Sequence, residues 1–460
     1  MPRILIVGGG YAGFYTAKKL QKWLARGEAE VVLVDPLPYM TYQPFLPEIA
    51  AGSIEPRHAL VSHRRHLKKT RVITAPVTGI DHASRTVTIT PQVGEPWQES
   101  YDHLVITAGS VSRTFPIPGV AELAYGLKTV EEATAIRDRL TDNFADAANL
   151  PAGPERDRLL TVVVVGGGFA GIEILGELLS LATSLVRQYD EIDMSDVHFH
   201  LVEAMGKIMP EVSLPTSLWV IDHLTSRGAQ LHLETQLASA AGGHIELSTG
   251  ESFDAELIVW TAGVMAAPML RGTDLPIEDR GRLRTRADFR AVDAAGEVVE
   301  GVWGAGDAAA VPDLTGGSPL PDGSCVPNAQ HAVRQGKLLA KNLTAALREE
   351  KTNDYFHKNL GAVAGIGLYH GVYQYRKLAI RGFLAWVMHR GYHGFAMPMW
   401  ERKFRVFGNW IMNFLARRDT VGIPARDTPR LAFETYAARP KGPEPVKKRR
   451  AAASSTRRTP

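Results

Sequence analysis

The chain has 460 residues, of which 45% are hydrophobic and 22% charged, with a formal net charge of +3; this is the balance of a globular protein of two or three domains. Its single cysteine, Cys325, excludes an internal disulfide, dithiol redox chemistry and cysteine-held sulfur. Strand-like residues begin at Arg3, so no secretory leader is expected, and no apolar run of 18 or more reads as a membrane span, which leaves a soluble protein or one lying on a membrane surface.

Taken in chain order, the first elements form a nucleotide fingerprint. A strand predicted over 4–7 runs into Gly8-Gly9-Gly10-Tyr11-Ala12-Gly13, and a helix follows. Gly8, Gly10 and Gly13 fill a G-x-G-x-x-G pattern: a tight turn, close approach to a pyrophosphate, and packing of helix on strand. The helix N-terminus offers free N–H groups to phosphate. The next strand, 30–35, ends in Asp35, where a carboxylate accepts hydrogen bonds from ribose hydroxyls. The plainer alternative is a glycine turn beside a solvated aspartate; the strand, helix and acid in sequence argue against it. A strand at 104–107 then leads into Thr107-Ala108-Gly109, a segment crossing out of the unit.

After a Pro- and Gly-rich loop at 147–157 the pattern restarts, as an internal repeat. A strand at 161–165 precedes Gly166, Gly168 and Gly171, a helix follows, and the next strand ends in Glu203. Glu203 lies further from Gly171 than the roughly 20 residues usual; segment 187–196 reads as the insertion or helix extension responsible. A glutamate there would repel the 2′-phosphate of NADPH and so favours NADH, although Lys207 is near. Thr261-Ala262-Gly263 forms a second crossing, and a late strand at 302–304 ends in Gly306-Asp307. Two fingerprints imply two dinucleotides. In flavoproteins of this kind the N-terminal unit takes FAD, the inserted unit takes NAD(P)H, and the late aspartate, here Asp307, holds ribityl hydroxyls.

Beyond about residue 376 aromatic, methionine, arginine and histidine residues interleave. Trp400, Phe404, Phe407, Ile411 and Phe414 fall on one face of a predicted amphipathic helix, preceded by a stripe of Ile380, Phe383, Leu384, Val387 and Met388. Basic residues flank both, a pattern suited to an anionic bilayer surface; packing on the core or on a second subunit is the alternative.

Three segments resemble the type II NADH:quinone oxidoreductases, over roughly residues 3–425. They are Tyr42-Gln43-Pro44-Phe45-Leu46-Pro47-Glu48, Gly171-Ile172-Glu173-Ile174-Leu175-Gly176-Glu177, and Ala329-Gln330-His331-Ala332-Val333-Arg334-Gln335-Gly336. The last is similar to the family's quinone-site motif A-Q-x-A-x-Q-Q-G, except that Arg334 replaces a glutamine. An arginine always carries charge and cannot accept a hydrogen bond, which puts the identity of the acceptor in question. The alternation of strands and helices and the repeated fingerprint predict an α/β fold of two Rossmann-like domains, and the Pro-, Lys-, Arg-, Ala- and Ser-rich tail of 438–460 reads as disordered. The resemblance adds an FAD domain of residues 1–118 and 285–375, an inserted NADH domain of 119–284 and a membrane-anchoring amphipathic helical region of 376–437. It implies FAD as cofactor, NADH as substrate, quinone as acceptor, no proton pumping, a homodimer attached at the cytoplasmic face of the cell membrane, and no nucleic-acid partner. Pro44, Val77 and Gln330 join the FAD set. Glu173 is expected near nicotinamide and flavin as a proton relay or positioning group, with Gln330, Arg334 and Gln335 at the acceptor. Against these stand a helix glutamate satisfied by a local partner and a solvated helix face.

Two other functions compete: a soluble FAD reductase of an electron-carrier protein, and an FAD- and NAD(H)-binding redox sensor with little turnover. His389 and His393, four apart, have metal-ligand spacing, but no H-E-x-x-H pattern accompanies them, and histidines at a membrane surface account for them as well. The pair His198 and His200 shares a strand face and reads as structural, and no metal is expected. The absence of a G-x-x-x-x-G-K-[ST] motif argues against nucleotide hydrolysis.

Overall fold

The computed structural model describes residues 1–357, 361–422 and 429–437. The chain divides into Met1–Val421 and Gly422–Pro460. In the second unit the described structure is one short helix, Leu431–Ala437; the expected basic tail, 438–460, lies outside the described residues.

The larger unit is organised by two sheets. The first has six strands in the order Arg290–Val292, Val298–Gly304, His103–Ile106, Arg3–Val7, Glu30–Asp35, Arg71–Thr74. All neighbours are parallel except the edge strand Arg290–Val292. The second sheet is parallel throughout, in the order Ala124–Tyr125, Leu257–Trp260, Thr161–Val165, His198–Val202, Ala229–His232. Strands buried on both faces read as near-continuous apolar runs; Thr161–Val165 is buried along its whole length, with four valines after a threonine whose hydroxyl donates to the Asp157 carbonyl. The late strand Val298–Gly304 pairs with His103–Ile106, so the first sheet is completed only after the chain has built the second. Between them the crossing segments Ser110–Ser112 and Val264–Ala266 pair antiparallel.

Each fingerprint opens a helix: Tyr11–Trp23 and Phe169–Val186. Thr16 fastens the first of these to helix Ala329–Leu347, its Oγ1 lying 3.0 Å from the carbonyl of Gly336. Phe169–Val186, with a mean hydropathy of 1.6, is long and apolar enough by composition to cross a bilayer. Glu173 and Glu177 interrupt it, so it is no unbroken apolar run, and two-thirds of the helix is buried, against Thr161–Val165 among other elements. It ends at Val186, and 187–197 is loop with one short 3-10 turn, so the longer spacing to Glu203 reflects an insertion rather than a longer helix.

After Ala329–Leu347 the chain forms a three-stranded meander, Ala362–Gly365, Gly371–Tyr375 and Leu378–Arg381. The change of texture at 376 falls in its last turn, and Ile380 lies on a strand rather than in the helical stripe. Helices Phe383–Ala396 and Trp400–Ala416 follow.

Candidate active site

The two fingerprints repeat one backbone geometry. Gly8 and Gly166 sit at φ +98° and +107°, where a side chain is strained. A Cβ on Gly13 would fall 1.9 Å from the Gly8 carbonyl oxygen, and one on Gly171 would fall 1.8 Å from that of Gly166, so helix and turn touch only because both are glycine. Thr107 and Thr261 close the loops from the next strand, each hydroxyl donating to the fingerprint's first glycine carbonyl, at 2.8 and 3.1 Å. Asp35 accepts from the N–H groups of Gly9 and Leu37; Glu203 accepts from those of Gly167 and Met205. The carboxylates are thereby fixed at the strand ends beside the glycine turns. By contrast, a Cβ on Gly10 or Gly168 would meet nothing within 4 Å. Each turn thus keeps an open place against its helix N-terminus, the space a pyrophosphate requires.

One cleft runs along the first fingerprint. Gly8, Gly10, Tyr11, Ala12, Asp35, Thr107, Ala108, Gly109, Gly306 and Asp307 all line it. Gly13 is the packing glycine behind it. Pro44 lies in the 3-10 turn Gln43–Phe45 and Val77 is buried on strand Val77–Asp81; neither is among the lining residues, nor is Gln330. Of the NADH set, Gly263 forms the second crossing, its carbonyl accepting from Arg113 N–H.

The cleft also contains groups the sequence did not single out. Lys128 Nζ donates to Ser110 Oγ at 3.0 Å, and Ser110 donates to Asp307 Oδ2 at 2.7 Å. This puts a cation and a hydroxyl beside the expected ribityl acceptor. The signal available was the capping box Thr129–Glu132 that starts helix Val130–Ala147 and fixes Lys128 just before it. His63 is completely buried, and its Nε2 lies 2.9 Å from the Gly9 carbonyl. Burial holds its imidazole below the usual range, so the neutral ring donates to the fingerprint loop. His200 is structural as expected, stacked on Phe253 with centroids 3.9 Å apart.

Glu173 faces away from solvent, into the junction with the C-terminal helices. Its Oε1 accepts from Gly365 N–H at 3.2 Å and lies 3.2 Å from His389 Nε2. Burial pushes the carboxyl up to about 8 and the His389 imidazole down to about 3. The contact therefore joins two neutral groups around pH 7, not an ion pair. His393 is likewise held neutral by burial, and its Nδ1 lies 3.1 Å from Tyr42 Oη. Tyr42 packs edge-on against Tyr11, which lines the cleft. This corrects the reading of His389 and His393 as histidines at a membrane surface. Around them, Glu48 meets Arg390 at 3.0 Å and Trp410 Nε1 at 2.8 Å, while Glu177 meets Arg418 at 3.1 Å. Burial also raises Glu48, to about 7.

Helix Ala329–Leu347 divides its motif between two sides. Gln335 is buried, and its Oε1 accepts from Gly306 N–H at 2.7 Å, bracing the Gly-Asp turn. Arg334 turns the other way, toward His357 and Gln330 Oε1. Its guanidinium contacts a histidine held neutral by burial and by the arginine's own charge. His331 bonds Tyr355 Oη at 2.9 Å.

Comparison with known proteins agrees with this geometry. The family described as pyridine nucleotide-disulphide oxidoreductase matches residues 2–336. A protein of Staphylococcus epidermidis (strain ATCC 12228 / FDA PCI 1200) named type II NADH:quinone oxidoreductase is 31% identical over 379 residues, covering 80% of this chain and 89% of the relative. Its namesake from Staphylococcus aureus (strain COL) is 30% identical over 376 residues with the same coverage. Among solved structures, NDH2 from Plasmodium falciparum in complex with NADH shares the fold at a TM-score of 0.83 and 17% identity, over 91% of this chain and 99% of that one.

Proposed function

The chain belongs to the pyridine nucleotide-disulphide oxidoreductase family and, within it, to the type II NADH:quinone oxidoreductases, and on that premise we propose that its first fingerprint holds FAD and its second NADH. It is an FAD-dependent, non-proton-pumping NADH dehydrogenase, associated with the membrane, with quinone as electron acceptor. FAD, when bound, supplies the redox chemistry, accepting hydride from NADH and returning two electrons to quinone. The family's disulphide chemistry has no place in a chain with one cysteine.

The observation that carries the reading is the duplicated site: two open glycine turns, each with a carboxylate locked at the neighbouring strand end. Asp35 and Glu203 bind ribose hydroxyls, Gly10 and Gly168 leave room for pyrophosphate, and Asp307, with Ser110 and Lys128, orients the ribityl chain. Gln335 braces the Gly306 turn. Glu173 stores a proton near neutral pH at the edge of the reacting centre, with His389 beside it. Arg334 puts a fixed positive charge on the acceptor side, where developing negative charge on a reduced quinone oxygen would be stabilised. In this reading residues 1–118 with 285–375 form the FAD domain, 119–284 the NADH domain, and 376–437 the anchor.

The anchor reading is supported by a helix of inverted polarity. On Phe383–Ala396, Phe383, Leu384 and Val387 are exposed while His389 and Arg390 are buried. On Trp400–Ala416, Trp400, Phe404, Ile411 and Phe414 are exposed and Val406 is buried. Apolar side chains outward on both helices, with a histidine and an arginine inward on the first, suit helices lying in a bilayer interface. The reading includes attachment at the cytoplasmic face and a homodimer, which protease protection in oriented vesicles and light scattering in detergent test in turn.

The central experiment is anaerobic spectroscopy of the purified enzyme. NADH is expected to bleach the flavin bands and a short-chain quinone to restore them. Bleaching without restoration would leave the nucleotide half standing and transfer the acceptor role to another molecule, with Arg334 the residue to change first.

A further inference from the structure

The outer side of the first fingerprint helix takes no part in nucleotide binding, yet it gathers like charges. Lys18, Lys19 and Lys22 come from Tyr11–Trp23, Lys337 from Ala329–Leu347, and Lys403 from Trp400–Ala416. Burial, together with the like charges of Lys22, Lys19, Lys337 and Lys403, holds the Lys18 ammonium below its ordinary range. Burial, with Lys19 and Arg334 nearby, does the same to Lys337. Aromatic rings lie among them. Lys18 and Lys337 share the ring of Tyr15, with Nζ 5.8 and 5.1 Å from its centroid, and Lys19 stands 5.3 Å over that of the half-exposed Trp23. Packing cations from three helices together costs free energy in the isolated chain and is offset when an anionic surface meets them.

The cluster is continuous with the apolar stripe. Lys18 Nζ lies 3.3 Å from Sδ of Met399, the residue that leads into Trp400–Ala416. Lys403 Nζ donates to the carbonyl of Phe395, itself 72% exposed. Apolar side chains at acyl depth with cations and amphipathic rings beside them are the arrangement a phospholipid headgroup layer accommodates.

We propose that Lys18, Lys19, Lys22 and Lys337, with Tyr15 and Trp23, form a docking surface for anionic phospholipid headgroups, so that the FAD-binding unit itself rests on the bilayer. This rests on the membrane-bound reading above and adds a lipid preference to it. The charge complementarity and the continuity with the apolar stripe favour a membrane over an acidic protein partner.

The test uses the full-length, flavin-loaded enzyme and the triple variant Lys18→Gln, Lys22→Gln, Lys337→Gln, floated with phosphatidylcholine vesicles with and without phosphatidylglycerol. At low salt the variant should partition roughly 10- to 100-fold more weakly onto phosphatidylglycerol-containing vesicles. It should be unchanged on phosphatidylcholine alone, and high salt should erase the difference. NADH oxidation with a soluble quinone, without vesicles, should be unchanged. The matching Lys→Arg triple should bind like the unaltered enzyme, and Lys22→Gln alone, at an exposed position, should lose about 5-fold. Equal binding of the Gln triple and the unaltered enzyme to phosphatidylglycerol vesicles overturns the proposal, and is the result expected if the patch serves an acidic protein. Equal losses on both vesicle types overturn it too. If the unaltered enzyme floats with neither, the membrane reading itself fails along with the proposal.

Discussion

Asp35 and Glu203 do the same task with side chains that differ by one methylene. Each accepts two backbone N–H bonds, one from its glycine turn and one from two residues downstream. Removing either frees the turn and, on the proposed reading, deletes the ribose acceptor. Glu203→Ala is expected to raise KM for NADH about 10- to 100-fold, the effect of losing a charge-assisted hydrogen bond, with flavin content unchanged; an unchanged KM would refute the ribose role. Burial raises the Glu173 carboxyl to about 8, so around pH 7 the folded chain keeps a proton that the unfolded chain has released. Its contribution to stability is full below the ordinary carboxylate range and is lost as pH rises through about 8. Glu173→Gln should therefore flatten the fall in melting temperature across that window and remove an alkaline limb from the pH profile of quinone reduction. The glycines and strand-end acids were legible in the sequence because their roles are local. The state of Glu173 was not, because burial creates it, and the segments that bury it, those of Gly365 and His389 among them, lie far along the chain.

At the scale of elements, the C-terminal helices show where periodicity misleads. The apolar stripe of Trp400–Ala416 is visible in the sequence, and its outward direction suits the anchor. The inner face of Phe383–Ala396 is polar, and its partners Glu48 and Glu173 lie in distant helices. Hydrophobic patterning cannot pair charges across hundreds of residues, so it gives Arg390 and Glu48 no role and leaves His389 and His393 to read as surface histidines. Both residues of the Glu177–Arg418 pair have side chains no more than 5% exposed. Arg418→Ala leaves a buried carboxylate unpaired and should cost about 3–5 kcal/mol, read as a fall in denaturant midpoint. A double change to an apolar pair should restore much of it. Gly171→Ala tests the other kind of packing: its Cβ would lie 1.8 Å from a backbone oxygen, so the fingerprint must open, and NADH affinity should fall with little loss of bound FAD.

For the whole molecule, one chain builds four strands of a six-stranded sheet, a second sheet, and then the last two strands of the first. That order was readable because the fingerprint repeats and because the Gly306-Asp307 strand arrives late. The meander 362–381 was not, since its short strands have no periodic signature and the change in composition at 376 obscures their continuity. The exposed stripe makes a prediction at this scale. Trp400→Glu with Phe404→Glu, at positions each 70% exposed, should release the enzyme from membranes while leaving turnover with a soluble quinone intact. Retention on membranes would move the anchor elsewhere.

Cys325 is 6% exposed, and burial raises its thiol to about 12. At neutral pH it offers neither access nor a thiolate to an alkylating reagent. To maleimide chemistry the native chain is therefore blank, and a cysteine placed at Phe404 or Trp23 would be the one position to take a fluorophore. An environment-sensitive dye at each could report how deep the anchor helix and the lysine-bearing helix sit in the same bilayer, without any background substitution.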